Sequence, residues 1–469
     1  MSRVAVIGGG VAGMTAAYRL RELLGEHAEI LVFDQAERTG GKLRTVRLAD
    51  RGYDLGAEAF LARRPEVLRL AEELELDGEL VHPGPASARV RAGGENRALP
   101  AGMLMGVPAS GRAVSGVLSD SGVRAVEREP ELEPPLLTGG DASVGDLLRK
   151  RFGHEVVERL VEPLLGGVYG GSADALGLRA TMPALADALD AGAESLTAAV
   201  NAAMPEPTPP GADKPPVFGA FRDGYDTLLS ELRERSRASF ELGLPVRQLR
   251  PLRRGWSLSI GTAPSPRTLD VDALVLAVPP PAARRLLAGA VPRAAEGFGR
   301  IRLASMAVIG LALPSHVELP DASGVLLARG ERHADGTPFT AKAFTFSSRK
   351  WPHLRGGGGQ ALVRASVGRG DPADLRPDDG ELVRRVSADL AELTGVPDAP
   401  LESRVVRWGG GLPQYGVGHR EIVAEIEDAV SRTPGLAVAG AALHGVGVPA
   451  CVATGESAAT TIADRLGAS

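Results

Sequence analysis

Gly8, Gly10 and Gly13 make a G-x-G-x-x-G spacing directly after four apolar residues, Val4-Ala5-Val6-Ile7. That pattern is chemistry for holding a pyrophosphate. The first glycine permits a tight turn, the second lets backbone approach the phosphates, and the third lets a helix pack close to a strand. With Gly9, Val11 and Ala12 the loop forms one candidate phosphate cradle, Gly8 to Gly13. A helix N-terminus following the turn offers free N–H groups and a positive dipole end. Asp34 ends a second apolar run, Ile30 to Phe33, and sits at the ~20-residue spacing of an acid that binds a ribose hydroxyl. A glycine loop alone is a weak signal. Strand, loop, helix, strand and acid in register make a strong one.

The elements that must position these groups are readable. Val4–Ile7 is a buried strand, Met14–Leu24 a helix and Ile30–Phe33 a second strand. Further on, 45–48 reads as a short strand and 65–76 as an amphipathic helix. Residues 144–165 are mostly helical in pattern. The glycines of Gly166-Gly167-Val168-Tyr169-Gly170-Gly171 are expected to end that helix. Ala98 to Gly111 carries no charge and is broken by glycine and proline. It suits a pocket wall or membrane-facing mouth, or equally a buried connection. Six prolines in 204–216 predict a semi-rigid excursion. A strand near Pro245-Val246 and a buried one at 272–279 return the chain to the dinucleotide sheet. Strands at 303–313, 339–346 and 361–367, with a helix at 380–393, suggest a separate substrate sheet. A helix at 420–430, a strand at 436–440 and a closing helix to about 466 complete the chain.

Composition limits the function classes. With 469 residues, two or three domains are expected. A net charge of −5 and 4% aromatic residues argue against general nucleic-acid binding. The single cysteine, Cys451, excludes an intrachain disulfide and a cysteine metal cluster. It fits a reducing compartment, and no long apolar run predicts a membrane span. A cytoplasmic protein is expected, with peripheral membrane contact left open. The eight histidines show no metal-ligand spacing. No nucleophile–base constellation is visible, so no catalytic proton acceptor is assigned. His419 and His444 read as structural.

Arg38-Thr39-Gly40-Gly41-Lys42-Leu43-Arg44-Thr45 resembles the second glycine signature of flavoproteins in the amine oxidase and protoporphyrinogen oxidase superfamily. There a glycine doublet and a basic residue lie by the FAD diphosphate, which points to Gly41 and Lys42 and to FAD as cofactor. Arginine is commoner than lysine at Lys42. Gly56, Ala57, Glu58 and Ala59 resemble the segment that lies against the isoalloxazine ring in that superfamily.

Taken whole, the chain is similar to the flavin-dependent protoporphyrinogen and coproporphyrinogen oxidases of haem biosynthesis. The resemblance runs through Leu99-Pro100, Met105-Gly106-Val107-Pro108 and Glu162-Pro163-Leu164-Leu165-Gly166-Gly167-Val168-Tyr169. It continues in Lys350-Trp351-Pro352-His353, in Trp408 with Pro413-Gln414-Tyr415, and in Gly445 to Cys451. Glu58 stands where many mitochondrial and chloroplast members carry arginine, which points to the bacterial coproporphyrinogen-type branch. The resemblance implies an α/β fold with a Rossmann-type FAD-binding domain and discontinuous substrate and helical domains. The expected division is 1–85, 217–300 and 404–469 for FAD, 86–216 largely helical, and 301–403 for substrate.

It also implies Val246, Trp408, Gly447, Val448, Pro449 and Ala450 as further FAD contacts, with the closing helix aimed at the pyrimidine end of the flavin. The implied reaction is the six-electron oxidation of a porphyrinogen, with molecular oxygen as acceptor and hydrogen peroxide as product. Arg44, Lys342 and Lys350 are candidate cations for the substrate carboxylates, and contact with the next haem-pathway enzyme is left open. Protoporphyrinogen IX oxidase, another flavoenzyme of the superfamily, and a non-catalytic flavin or tetrapyrrole carrier are the alternatives.

Overall fold

The computed structural model describes residues 2–135, 137, 139–205, 215–262, 266–355, 359–397 and 399–467. Most of the proline-rich excursion expected at 204–216 lies outside them. A five-stranded parallel sheet has the order Ser239–Leu242, Glu29–Asp34, Arg3–Ile7, Ala273–Leu276, Leu436–Val438. The strand Arg3–Ile7 lies at its centre, with Val4 opposite both Ile30 and Ala273.

Alternation along this central strand serves two faces. Val4 and Val6 pack with the helices Val11–Leu24 and Val448–Gly467. Ala5 and Ile7 pack with the helices Pro280–Leu287, Pro292–Arg300 and His419–Ser431. Burial on both faces explains the unbroken apolar run. The first and last helices touch closely: a Cβ on Gly455 would lie 2.3 Å from the Ala12 carbonyl oxygen.

A seven-stranded sheet has the order Glu402–Pro413, Leu303–Leu313, Ala361–Val367, Ala341–Thr345, Gly324–Leu327, Ala88–Ala92, Glu95–Ala98. It therefore draws strands from three stretches of chain. One face is covered by the helix Asp379–Thr394, through Leu382, Val386 and Leu390 on Ile309, Leu311 and Ala365. The other face receives the hairpin Thr45–Leu48 and Arg51–Asp54, with Leu48, Tyr53 and Leu55 against Val308, Ala312 and Leu362. Gly310 is tight there, since a Cβ on it would come 3.0 Å from Leu48. The dinucleotide unit and the large sheet thus meet over the hairpin.

Residues 111–203 are largely helical around Leu148, Phe152, Leu160, Leu165, Leu185 and Leu196. Here one expectation is corrected. The helix Glu162–Tyr169 runs through Gly166 and Gly167 and ends only at Gly170, in the left-handed region at φ 73°. Each helical glycine costs about 1 kcal/mol relative to alanine. Burial of Leu165 and Tyr169 in the helical core offsets that cost. A π-helical stretch, Val157–Val161, precedes it. The uncharged stretch 98–111 forms a tight hairpin of Met103–Leu104 with Val107–Pro108. Val107 is fully buried, and Gly106, at φ 91°, faces the Leu160 carbonyl. The turn from Gly106 to Pro108 is buried, while Ala98, Ala101 and Ser110 are exposed.

Candidate active site

The three glycines of the loop do separate jobs. Gly8 adopts φ +111°, and a Cβ there would lie 2.3 Å from the Ala277 carbonyl oxygen. A Cβ on Gly13 would lie 1.9 Å from the Gly8 carbonyl oxygen. Neither position admits a side chain. Gly10 is different: its nearest neighbour would be the Gly41 Cα, at 3.8 Å. The chain leaves an open groove there that a side chain would fill. Gly10 is also the N-cap of the helix Val11–Leu24, with no side-chain cap and no acidic residue in the first turn. Its free N–H groups therefore face that groove.

The second glycine pair closes onto the first. Gly40 N–H donates to the Gly9 carbonyl at 2.7 Å, and Gly41 adopts φ +57° beside Gly10. Arg38 splints this loop by donating to the carbonyls of Thr39, Leu43 and Gly41 at 2.9, 3.0 and 2.9 Å. Asp34 accepts from the Gly9 N–H at 2.7 Å and from Ala36 N–H at 2.8 Å, so the acid is locked at the strand end. Val246 is buried on a strand whose approach is fixed by Leu244 N–H on the Asp34 carbonyl, 3.0 Å. Lys42 is open to solvent and has no ion-pair partner among the described residues. Its concave surroundings lower its pKa by desolvation. The open groove, free N–H groups and unpaired cation fit a dinucleotide diphosphate.

The flavin-facing segment proposed by resemblance is pinned from below. Leu55 N–H donates to the Arg44 carbonyl at 2.8 Å, and a Cβ on Gly56 would lie 2.0 Å from the Lys42 carbonyl oxygen. Trp408 Nε1 donates to the Leu55 carbonyl at 2.9 Å. Ala57 packs on the cluster that holds Val448 and Cys451. Gly10 lies beside Gly41, Gly56 packs on Lys42, Trp408 is tied to Leu55, and Ala57 joins the cluster of the first turn of Val448–Gly467. Behind that turn, Tyr415 Oη accepts from Gly445 N–H and donates to the Ala441 carbonyl, both at 2.7 Å. His419 stacks on Tyr415 at 3.8 Å and contacts the Leu443 carbonyl at 3.2 Å. His444 is exposed, 2.6 Å from Glu427. Both histidines have structural partners.

Glu58 organises the neighbouring corner. Its carboxylate accepts from Lys350 Nζ at 2.7 Å and Trp351 Nε1 at 3.0 Å, with the Arg364 guanidinium at 3.8 Å. Arg364 also donates to the Gly56 carbonyl. Burial opposes the Glu58 charge, but Lys350 and Arg364 outweigh it and lower its pKa to about 2. Asp54, nearby, has no such cation in contact, and burial raises it to about 7 despite hydrogen bonds from Thr45 and Tyr225. Arg364 carries no motif in the sequence and comes to Glu58 only through the large sheet.

The three candidate substrate cations part ways. Lys350 is committed to Glu58. Arg44 lies beside Arg38 near the glycine doublet, and its nearness lowers the Arg38 pKa after burial. Lys342 is buried on the large sheet, with Nζ 3.0 Å from the Gly166 carbonyl. Among the described residues no metal-ligand cluster exists and no helix is long and apolar enough to cross a membrane.

Cys451 is buried, and burial raises its thiol to about 12. A thiol so disfavoured as thiolate is a poor flavin-linking nucleophile. Acid precipitation is expected to release all the flavin from the purified protein. Yellow colour held in the washed pellet would show a covalent link.

A parallel sheet whose first turn opens a helix N-terminus, with a large sheet packed on its hairpin, has the architecture of a dinucleotide-dependent oxidoreductase. The model for flavin-containing amine oxidoreductases matches residues 11–463. The chain belongs to that family. It is 41% identical over 464 residues to the coproporphyrinogen III oxidase of Mycobacterium tuberculosis (strain H37Rv), covering 99% of this chain and 98% of that one. The coproporphyrinogen III oxidase of Bacillus subtilis is 29% identical, with 97% and 96% covered. A solved structure from Exiguobacterium sp. 255-15, provisionally named a protoporphyrinogen oxidase, superposes at a TM-score of 0.84 with 26% identity, over 98% of both chains.

Proposed function

We propose that this chain is an FAD-dependent coproporphyrinogen III oxidase of haem biosynthesis. The observation that carries the reading is end-to-end similarity at 41% to enzymes of that name, in a chain whose Gly10 groove is open for the cofactor. When bound, the flavin supplies the capacity to accept electrons from the substrate's carbon skeleton. The residues bind, orient and exclude water. Gly8 to Gly13 and Lys42 hold the diphosphate, Asp34 the ribose, and Val246 the adenine end. Gly56 to Ala59, Trp408 and Gly447 to Ala450 surround the ring. The N-terminus of the helix beginning at Val448 would face the flavin and favour negative charge on its reduced ring. Oxygen is the proposed electron acceptor and hydrogen peroxide the product. The FAD-binding unit proposed comprises 1–85, 217–300 and 404–469, with 86–216 and 301–403 as helical and substrate units. The cytoplasm is the proposed location, with membrane or pathway-enzyme contact at most peripheral.

The deciding experiment compares kcat/KM for coproporphyrinogen III and protoporphyrinogen IX by porphyrin fluorescence. Coproporphyrinogen is expected to be the faster substrate, and a strong preference for protoporphyrinogen would reverse the assignment. An anaerobic stopped-flow mix separates enzyme from carrier. The oxidase bleaches its flavin on meeting porphyrinogen, and a carrier does not.

A further inference from the structure

Lys342 is the anomaly of the large sheet. It is only 4% exposed, yet among the described residues its ammonium has no carboxylate within ion-pair distance and one hydrogen-bond acceptor, the Gly166 carbonyl. A buried ammonium with one partner leaves two donors unused, an arrangement that costs free energy unless something else satisfies it. Beside it stands Arg369. That guanidinium donates to the Leu327 carbonyl at 3.0 Å and likewise lacks a carboxylate partner. Two acids lie nearby, and Glu162 lines the same cavity as the two cations. Glu162 accepts from Ser172 Oγ at 2.7 Å and Ala173 N–H at 3.0 Å, with Arg329 at 3.6 Å. Asp374 accepts from the backbone N–H of Arg369 at 2.9 Å.

The sheet itself aims Lys342. The ladder slips between Ala341 and Ala343, leaving Lys342 as an extra residue. Ala341 packs under the helix Asp379–Thr394, whereas Lys342 turns to the opposite face, toward Gly166. That face also carries Arg364 and Trp408, which touch Gly56 and Leu55. Lys342 and Arg369 line a cavity of about 10 Å³ with Glu162, Gly166 and Gly170. It has room for about one water or one carboxylate oxygen. Arg369 opposes the charge on Lys342, and Asp374 favours it. Burial, then Arg369, lower Lys342 to about 8.

We propose that Lys342 and Arg369 form a socket for one carboxylate of the porphyrinogen. The inference rests on the reading of this chain as a porphyrinogen oxidase. A carboxylate entering the socket satisfies the unused ammonium donors and adds an anion within contact of Lys342. It anchors one edge of the macrocycle while the sheet face beside it carries the residues that reach the Gly56 segment.

The test uses FAD-replete Lys342→Met, which keeps the length and removes the charge, and Arg369→Gln. KM for coproporphyrinogen III and Kd for coproporphyrin III, read by fluorescence, are expected to rise roughly 10–100-fold, the range of a lost charge-assisted contact. kcat is expected to stay within about threefold, because a substrate carboxylate takes no part in the oxidation of a bridging carbon. If Lys342→Met loses flavin or fails to fold, Arg369→Gln decides. Values of KM and Kd within about twofold of wild type, or a fall in kcat alone, overturn the socket. A wild-type enzyme that oxidises neither porphyrinogen removes the functional reading instead.

Discussion

Replacing Gly10 by valine is expected to give a folded protein that no longer holds FAD. Gly10 has φ −74° and ψ 174°, extended backbone that a β-branched residue adopts readily. A Cβ there meets nothing nearer than the Gly41 Cα at 3.8 Å. The chain alone therefore has no quarrel with the substitution. Its branches would fill the groove in which the diphosphate is proposed to lie. FAD affinity should fall by at least about 100-fold, or roughly 2.7 kcal/mol, with little change in the apoprotein's Tm. Titration of apoprotein with FAD and a thermal melt read the two effects separately. Gly13→Val is the contrast: its Cβ would sit 1.9 Å from the Gly8 carbonyl oxygen, so the apoprotein itself should be destabilised. Full flavin occupancy in Gly10→Val would refute the cradle.

The second large effect is at Glu58. Glu58→Gln keeps the shape and removes, among the described residues, the only carboxylate within ion-pair distance of Lys350 and Arg364. Stranding buried cations in this way costs about 3–5 kcal/mol. Lys350→Met in the same chain should recover part of the loss, a non-additivity that identifies the contact. The pH dependence has a definite sign. Glu58 is depressed from 4.5 to about 2 in the folded state. Its contribution is therefore complete above about pH 4.5 and disappears as pH falls toward 2. Denaturant melts of wild type and Glu58→Gln should differ most above pH 5 and converge below pH 3. A constant gap across that range would mean that the carboxylate charge is not what stabilises this corner.

Local grammar made much of this legible. The strands Thr45–Leu48, Leu303–Leu313 and Ala361–Val367 have the bounds expected from their apolar patterns. The loop from Gly8 to Gly13 and the acid at Asp34 come together because each is fixed by its own neighbours. What escaped is non-local. Glu162–Tyr169 stays helical through two glycines because its flanking side chains are buried by distant elements. Arg364 and Lys350 reach Glu58 only when the large sheet docks on the hairpin. Lys342 could be picked out as a basic residue. That its ammonium ends on the Gly166 carbonyl depends on a slipped ladder and on a helix far upstream in the chain.

The order of strands in the parallel sheet has a consequence for synthesis. Arg3–Ile7 leaves the ribosome first and lies at the centre, but its neighbour Ala273–Leu276 follows much later and the edge strand Leu436–Val438 nearly last. The helix that covers Ala12 closes the chain at Val448–Gly467. A nascent chain can therefore pair Arg3–Ile7 with Glu29–Asp34 early, while the other edge of the central strand stays unpaired through most of translation. Such an edge is open to wrong partners. The proposed cofactor site therefore gains the wall supplied by Val448–Gly467 only after the rest of its sheet has been made. A chain truncated before residue 448 is expected to lack that wall and to bind flavin poorly.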